Sequence, residues 1–168
     1  MTELNLRENY LHAAGWPIDN TSLEEMVYRV ITIVGSSEFL YNNFLNDNYL
    51  FARMKEMEMA KLSELLIAIA IICRSLLDSS IDIPNVIEEG ENNVGVITIN
   101  KINQPLTFHE SCNKIIHARE VYFDVEESAS IESGFLNHFI YLYGDRDGVN
   151  WKAAVDLIKF CKYAGSVM

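Results

Sequence analysis

Apolar positions in the first half of the chain recur with helical spacing. Ser22-Leu23-Glu24-Glu25 has the form of a capping box, in which the serine hydroxyl accepts from the N3 amide and Glu25 reaches back to the cap, so a helix is predicted to start there. It carries Met26, Val30, Ile33 and Val34 inward and runs to about Phe44, with Gly35-Ser36-Ser37 as a weak point near its middle. Asp47 opens a longer helix, Tyr49 to Leu77, whose Leu50, Met54, Met57 and Leu62 keep the same period. From Leu65 to Cys73 no face is polar, which predicts a helix at the centre of the fold with other elements around it. Arg74 follows at the edge of that core, and Asp78, one turn on, is its structural partner. Met54, Met57 and Met59 read as adaptable core or contact surface.

Past Pro84 the pattern changes. Val94 to Ile102 is β-branched and reads as a strand, Val121 to Val125 as another and Phe135 to Tyr143 as a third, with His138 as a structural histidine of that strand. Asp145-Arg146-Asp147-Gly148 signals a turn, and Asn150 is expected to cap a last helix that buries Trp151, Val155, Ile158 and Cys161. The expected architecture is α+β, a mainly helical core with a small antiparallel sheet and a C-terminal helix. We read residues 1–168 as a single domain. Within it, 1–20 form an arm in which Trp16 packs on the body, 21–78 two long core helices, 79–93 an acidic loop, and 94–168 a strand, a helix, strands and a helix.

Composition narrows the function. At 168 residues and 49% hydrophobic content the chain can bury a real core. A net charge of −11 works against broad nucleic-acid binding, which relies on Lys and Arg neutralising phosphates, so any RNA contact must be local. Cys73, Cys112 and Cys161 are unclustered and set in apolar helical patterns, as reduced cysteines are, which suggests a cytoplasmic setting. There is no signal-peptide pattern, and the longest apolar run, Leu65 to Cys73, is about half a membrane span. The expectation is a soluble protein without membrane contact.

Titratable chemistry concentrates on one short segment. Thr107 and Glu110 form a second capping box, so a helix is predicted from Phe108, with Phe108, Cys112, Ile115 and Ile116 on its core side. His109, Asn113 and His117 follow one another at i, i+4, i+8 along the margin of that face. Eight residues of helix set the two histidines about 12 Å apart, too far to share a metal ion. No P-loop, nucleophile elbow or paired CxxC is present, and no cofactor is implied. The bland reading makes His109 and His117 ordinary margin histidines and Glu110 with Lys114 a surface i, i+4 pair.

Cys112-Asn113-Lys114-Ile115-Ile116-His117, on a helix behind two longer ones, resembles the signature of HEPN domains, in which an arginine precedes a histidine by four to six residues. The segment is also similar to uncharacterised bacterial proteins with a CNKIIHA-like helix and a later LYG…W strand and turn, matched here by Leu142-Tyr143-Gly144 and Trp151. The HEPN resemblance implies a metal-independent endoribonuclease of toxin and antiviral systems, commonly a homodimer, with His117 as acid or base and Asn113 orienting the phosphate or the histidine. The arginine position holds Cys112, which supplies no positive charge. Arg74, Arg119 and Lys114 are the candidate replacements, Arg74 and Arg119 being favoured, and protonated His109 is a further source of charge. The alternative is a non-catalytic acidic module that binds a basic protein, for which a charge of −11 is an asset.

Overall fold

The computed structural model describes residues 20–44, 48–79, 92–128 and 130–167; the N-terminal arm with Trp16, the Asp47 cap and the acidic segment around Pro84 lie outside them. Two long helices come first, α1 (Asn20–Phe44) and α2 (Asn48–Ser79). α1 begins ahead of the expected cap, and Glu25 pairs with Arg29 at 2.5 Å instead of turning back to Ser22. Gly35-Ser36-Ser37 does not interrupt it. Ser37 is buried, donates to Glu58 Oε2 on α2 at 3.1 Å and accepts from the Leu136 amide at 3.0 Å, so the expected weak point ties three elements together. α2 is less enclosed than its composition suggests. Leu65, Leu66, Ile69, Ala70 and Cys73 are buried, while Ile67 and Ile71 remain 46% and 49% exposed, because α2 packs on α1 and on the helix near residue 112. Among the described residues no helix is long and apolar enough to cross a membrane.

The remainder builds a five-stranded antiparallel sheet from β1 (Asn93–Ile99), β2 (Ile102–Thr107), β3 (Glu120–Ser128), β4 (Ser130–Arg146) and β5 (Val149–Asp156), in the order β2-β1-β5-β4-β3. α3 (Phe108–His117) joins β2 to β3, and α4 (Leu157–Ser166) follows β5. The α+β class holds, but the sheet is larger than expected. Two expectations fail for identifiable reasons. The strand expected to run to Ile102 turns at Asn100 and Lys101, whose φ values of 50° and 66° make a two-residue hairpin loop. Its return strand β2 tolerates Pro105 because it lies at the sheet edge.

The helix expected from Asn150 is strand β5 instead. Trp151, Ala153 and Val155 are buried at alternate positions, with Lys152 exposed between them, and β5 carries ladders to both β1 and β4. α4 starts only at Leu157, where the Asp156 carboxylate accepts from the amides of Ile158 (3.0 Å) and Lys159 (3.1 Å), and Ile158 is exposed. The Asp147-Gly148 turn, with φ of 53° and 79°, stands where the turn signal placed it. The expected strands at 121–125 and 135–143 are the middles of β3 and β4.

One apolar cluster joins the layers. Leu23 and Val30 of α1, Leu62 and Ile69 of α2, Ile97, Leu142 and Val155 of the sheet, and Phe108 and Phe160 of the two short helices are all nearly inaccessible. The core expected from the helices is thus shared with one face of the sheet. The cysteines are buried and free, and burial pushes the thiols of Cys73 and Cys161 up to about 12.

Candidate functional site

α3 is positioned by its cap and by one aromatic residue. The Thr107 hydroxyl accepts from the Glu110 amide at 3.3 Å, and the Phe108 ring lies 5.2 Å from Phe160 and 5.9 Å from Tyr163, centroid to centroid. Phe108, Ser111, Cys112 and Ile115 fill the buried side. The opposite edge of the helix therefore lines a cleft of about 390 Å³ with Glu110, Asn113, Lys114 and His117. Its other walls are Arg74 from the end of α2, Asp145 and Arg146 from β4, and Trp151 from β5.

Trp151 is the floor of the arrangement. It pairs in register with Gly144, where an added Cβ would lie 2.3 Å from the indole Cζ2, so only glycine lets the ring lie across β4. The Lys114 ammonium stands 4.6 Å from the indole centroid and 3.7 Å from Glu110 Oε1, and its side chain is only 11% exposed. This lysine is held between an aromatic face and a carboxylate. Such placement fixes a charge that would otherwise sweep a wide arc.

Arg74 is held in a comparable way. Its Nε bonds Asp78 Oδ2 at 2.7 Å, while Asp78 Oδ1 faces His109 Nε2 at 3.1 Å. The hydrogen bond from His109 and then that from Arg74 hold the Asp78 carboxyl below the usual carboxylate range. Arg119 pairs with Asp145 and so neutralises one acid of the cleft wall from outside. The lining sets Arg74, Lys114 and Arg146 against Glu110 and Asp145, and each of these cations has an acid beside it, Asp78 for Arg74, Glu110 for Lys114 and Asp147 for Arg146. The cleft thus concentrates guanidinium and ammonium groups while staying close to charge-balanced on a chain of net charge −11. Asn113 adds a buried Oδ1 with no hydrogen-bond partner among the described residues, an omission that costs about 1–3 kcal/mol unless a water or ligand donates to it.

Of the residues singled out in the sequence, the structure gathers Arg74, Asn113, Lys114 and His117 at one cleft. His109 and Arg119 stand outside it and act on it through Asp78 and Asp145. Cys112, at the position of the HEPN arginine, is buried, and burial pushes its thiol well up, which leaves it a neutral packing residue. Sequence reasoning missed Asp145, Arg146 and Trp151 as site residues, because it assigned the first two to a turn and the third to a helix core. The glycine–tryptophan pairing carried the signal, but only the strand register puts Gly144 opposite Trp151. Among the described residues no three His, Cys, Asp or Glu side chains gather as a metal site. No family model, curated protein or solved structure matches the chain.

Proposed function

We propose that this cleft is the active site of a metal-independent endoribonuclease, a degenerate relative of the HEPN domains. The observation that carries the reading is that exposed His117 shares one cleft with Arg74, Lys114 and Arg146. In this reading His117 takes the proton of a ribose 2′-hydroxyl. The 2′-oxygen attacks phosphorus, the bond to the 5′-oxygen breaks, and the leaving oxygen takes a proton from water, giving a 2′,3′-cyclic phosphate and a 5′-hydroxyl. Arg74 and Lys114 offset the charge that builds on the non-bridging oxygens, and Asn113 orients the phosphate or the imidazole. Arg74 thus fills the role that Cys112 cannot. A homodimer and a place in RNA-targeting toxin or defence systems belong to the same proposal and rest on the resemblance alone.

Incubation with a mixed RNA pool in EDTA tests the proposal. Fragments ending in 2′,3′-cyclic phosphate, lost in His117→Ala, are expected; equal fragmentation by wild type and variant, or none, would contradict it. A second reading, an acidic interaction module without chemistry, is favoured by a different observation. Net charge is −11, and Tyr28 and Phe39 of α1 and Ile67 and Ile71 of α2 are exposed. That reading predicts capture of a basic protein and no cleavage by either form.

A further inference from the structure

The sheet face opposite the apolar cluster carries a second concavity, of about 490 Å³, between the β1–β2 turn and the β4–β5 turn. Its lining includes Asn100, Lys101, Tyr143, Asn150 and Lys152 and contains no carboxylate. On a chain with 24 acidic residues and 13 lysines and arginines, such a groove is a local exception. The Lys152 ammonium lies 4.8 Å from the Tyr141 ring centroid and 5.4 Å from that of Tyr143, and the Tyr122 ring meets Tyr143 edge-on at 5.5 Å. Trp151 lines both this groove and the His117 cleft, so the two meet across the tip of the β4–β5 hairpin.

We propose that this groove holds single-stranded RNA beside the scissile phosphate, with bases on the Tyr143 and Tyr122 rings and phosphates at Lys101 and Lys152. The proposal rests on the cleft acting on RNA, and it names the substrate as unpaired strand. Aromatic faces stack on any base and lysines attract any phosphate, so the groove grips the polymer without reading its sequence. Glu120, which accepts from the Tyr122 hydroxyl at 2.9 Å and lies opposite Tyr143 in register, bounds it on the β3 side. A duplex keeps its bases stacked inside and offers none to the tyrosines. The groove therefore selects single strands.

The test is binding of a fluorescent 2′-O-methyl oligouridylate of about ten nucleotides, which lacks the attacking hydroxyl and stays intact. It is run by anisotropy on the full chain and on the variants Lys101→Gln/Lys152→Gln, Tyr143→Phe, Tyr143→Ala and His117→Ala. The double lysine variant is expected to lower the dependence of log affinity on log salt by about two. Tyr143→Ala is expected to weaken binding at least about fivefold, while Tyr143→Phe keeps it. Because the lysines are surface residues, their variant remains informative if Tyr143→Ala fails to fold. Loss in these variants with retention in His117→Ala supports the groove even where RNA is not cleaved, an outcome that would count against the cleft alone. No binding by wild type, binding indifferent to the lysines, equal competition by duplex RNA or equal competition by polyglutamate would each overturn the proposal.

Discussion

The two sides of the β4–β5 hairpin handle positive charge differently. In the cleft, Arg74 is fixed by Asp78, Lys114 by Glu110 and the Trp151 ring, and Asp145 is balanced by Arg119. In the groove, Lys152 stands over tyrosine rings and no acid lines the wall. Cations held by neighbours suit a charge that develops at one point, since they need little reorganisation when it forms. Cations set on aromatic rings suit a polymer whose phosphates arrive in many registers. On the proposed reading, an acidic chain would contact RNA at one hairpin, with a catalytic side and a gripping side.

The largest effect should come from the residue the two sides share. Trp151→Ala removes a buried ring under Lys114 and is expected to cost about 3–5 kcal/mol in urea unfolding, while releasing the ammonium. An unchanged midpoint would deny Trp151 its place as common floor. Arg74→Gln comes next, with a loss of about a hundredfold in the rate of RNA cleavage and a stability change below about 1 kcal/mol, since its ion pair is substantially exposed. Equal loss of rate and stability would make Arg74 structural. Gly144→Ala forces a methyl into the indole and is expected to cost about 1–3 kcal/mol, read as a lower midpoint of thermal unfolding.

The smallest effects contrast an exposed, ion-paired carboxylate with a half-buried one. Asp78 is held below its ordinary range, so the stability it contributes is present above its unfolded pKa and is lost as pH falls through the folded value. Asp78→Asn should erase that acid-side loss. Glu58 is shifted the other way, because burial outweighs the Ser37 hydrogen bond and the Lys55 charge, and its Oε1 has no partner among the described residues. Its contribution is full below the unfolded pKa and is lost as pH rises through the raised folded value. Glu58→Gln keeps an acceptor for Ser37 and should flatten that loss. Urea unfolding across the acidic range separates the two signs.

Helices α1, α2 and α3 were legible in the sequence because each has a clear period, and two-residue turn chemistry made Asp147-Gly148 visible as well. The β5 strand was not, since Asn150 and the spacing of Trp151, Val155 and Ile158 imitate a capped helix. Only pairing with strands far away in sequence makes the two-residue period decisive. The same non-locality hid half of the cleft. The outward line of α3 could be read locally, whereas Arg74 reaches it through helix packing and Asp145, Arg146 and Trp151 through strand register.

The most direct test of the cleft is a titration with a nucleoside 3′-phosphate, followed through the imidazole proton resonances of the histidines in wild type and in Arg74→Gln. The account predicts that the His117 signal moves on addition, that this movement is weakened in Arg74→Gln, and that His138, outside the lining, stays in place. A His117 signal indifferent to the nucleotide, or displaced no more than that of His138, would contradict a phosphate site at this cleft.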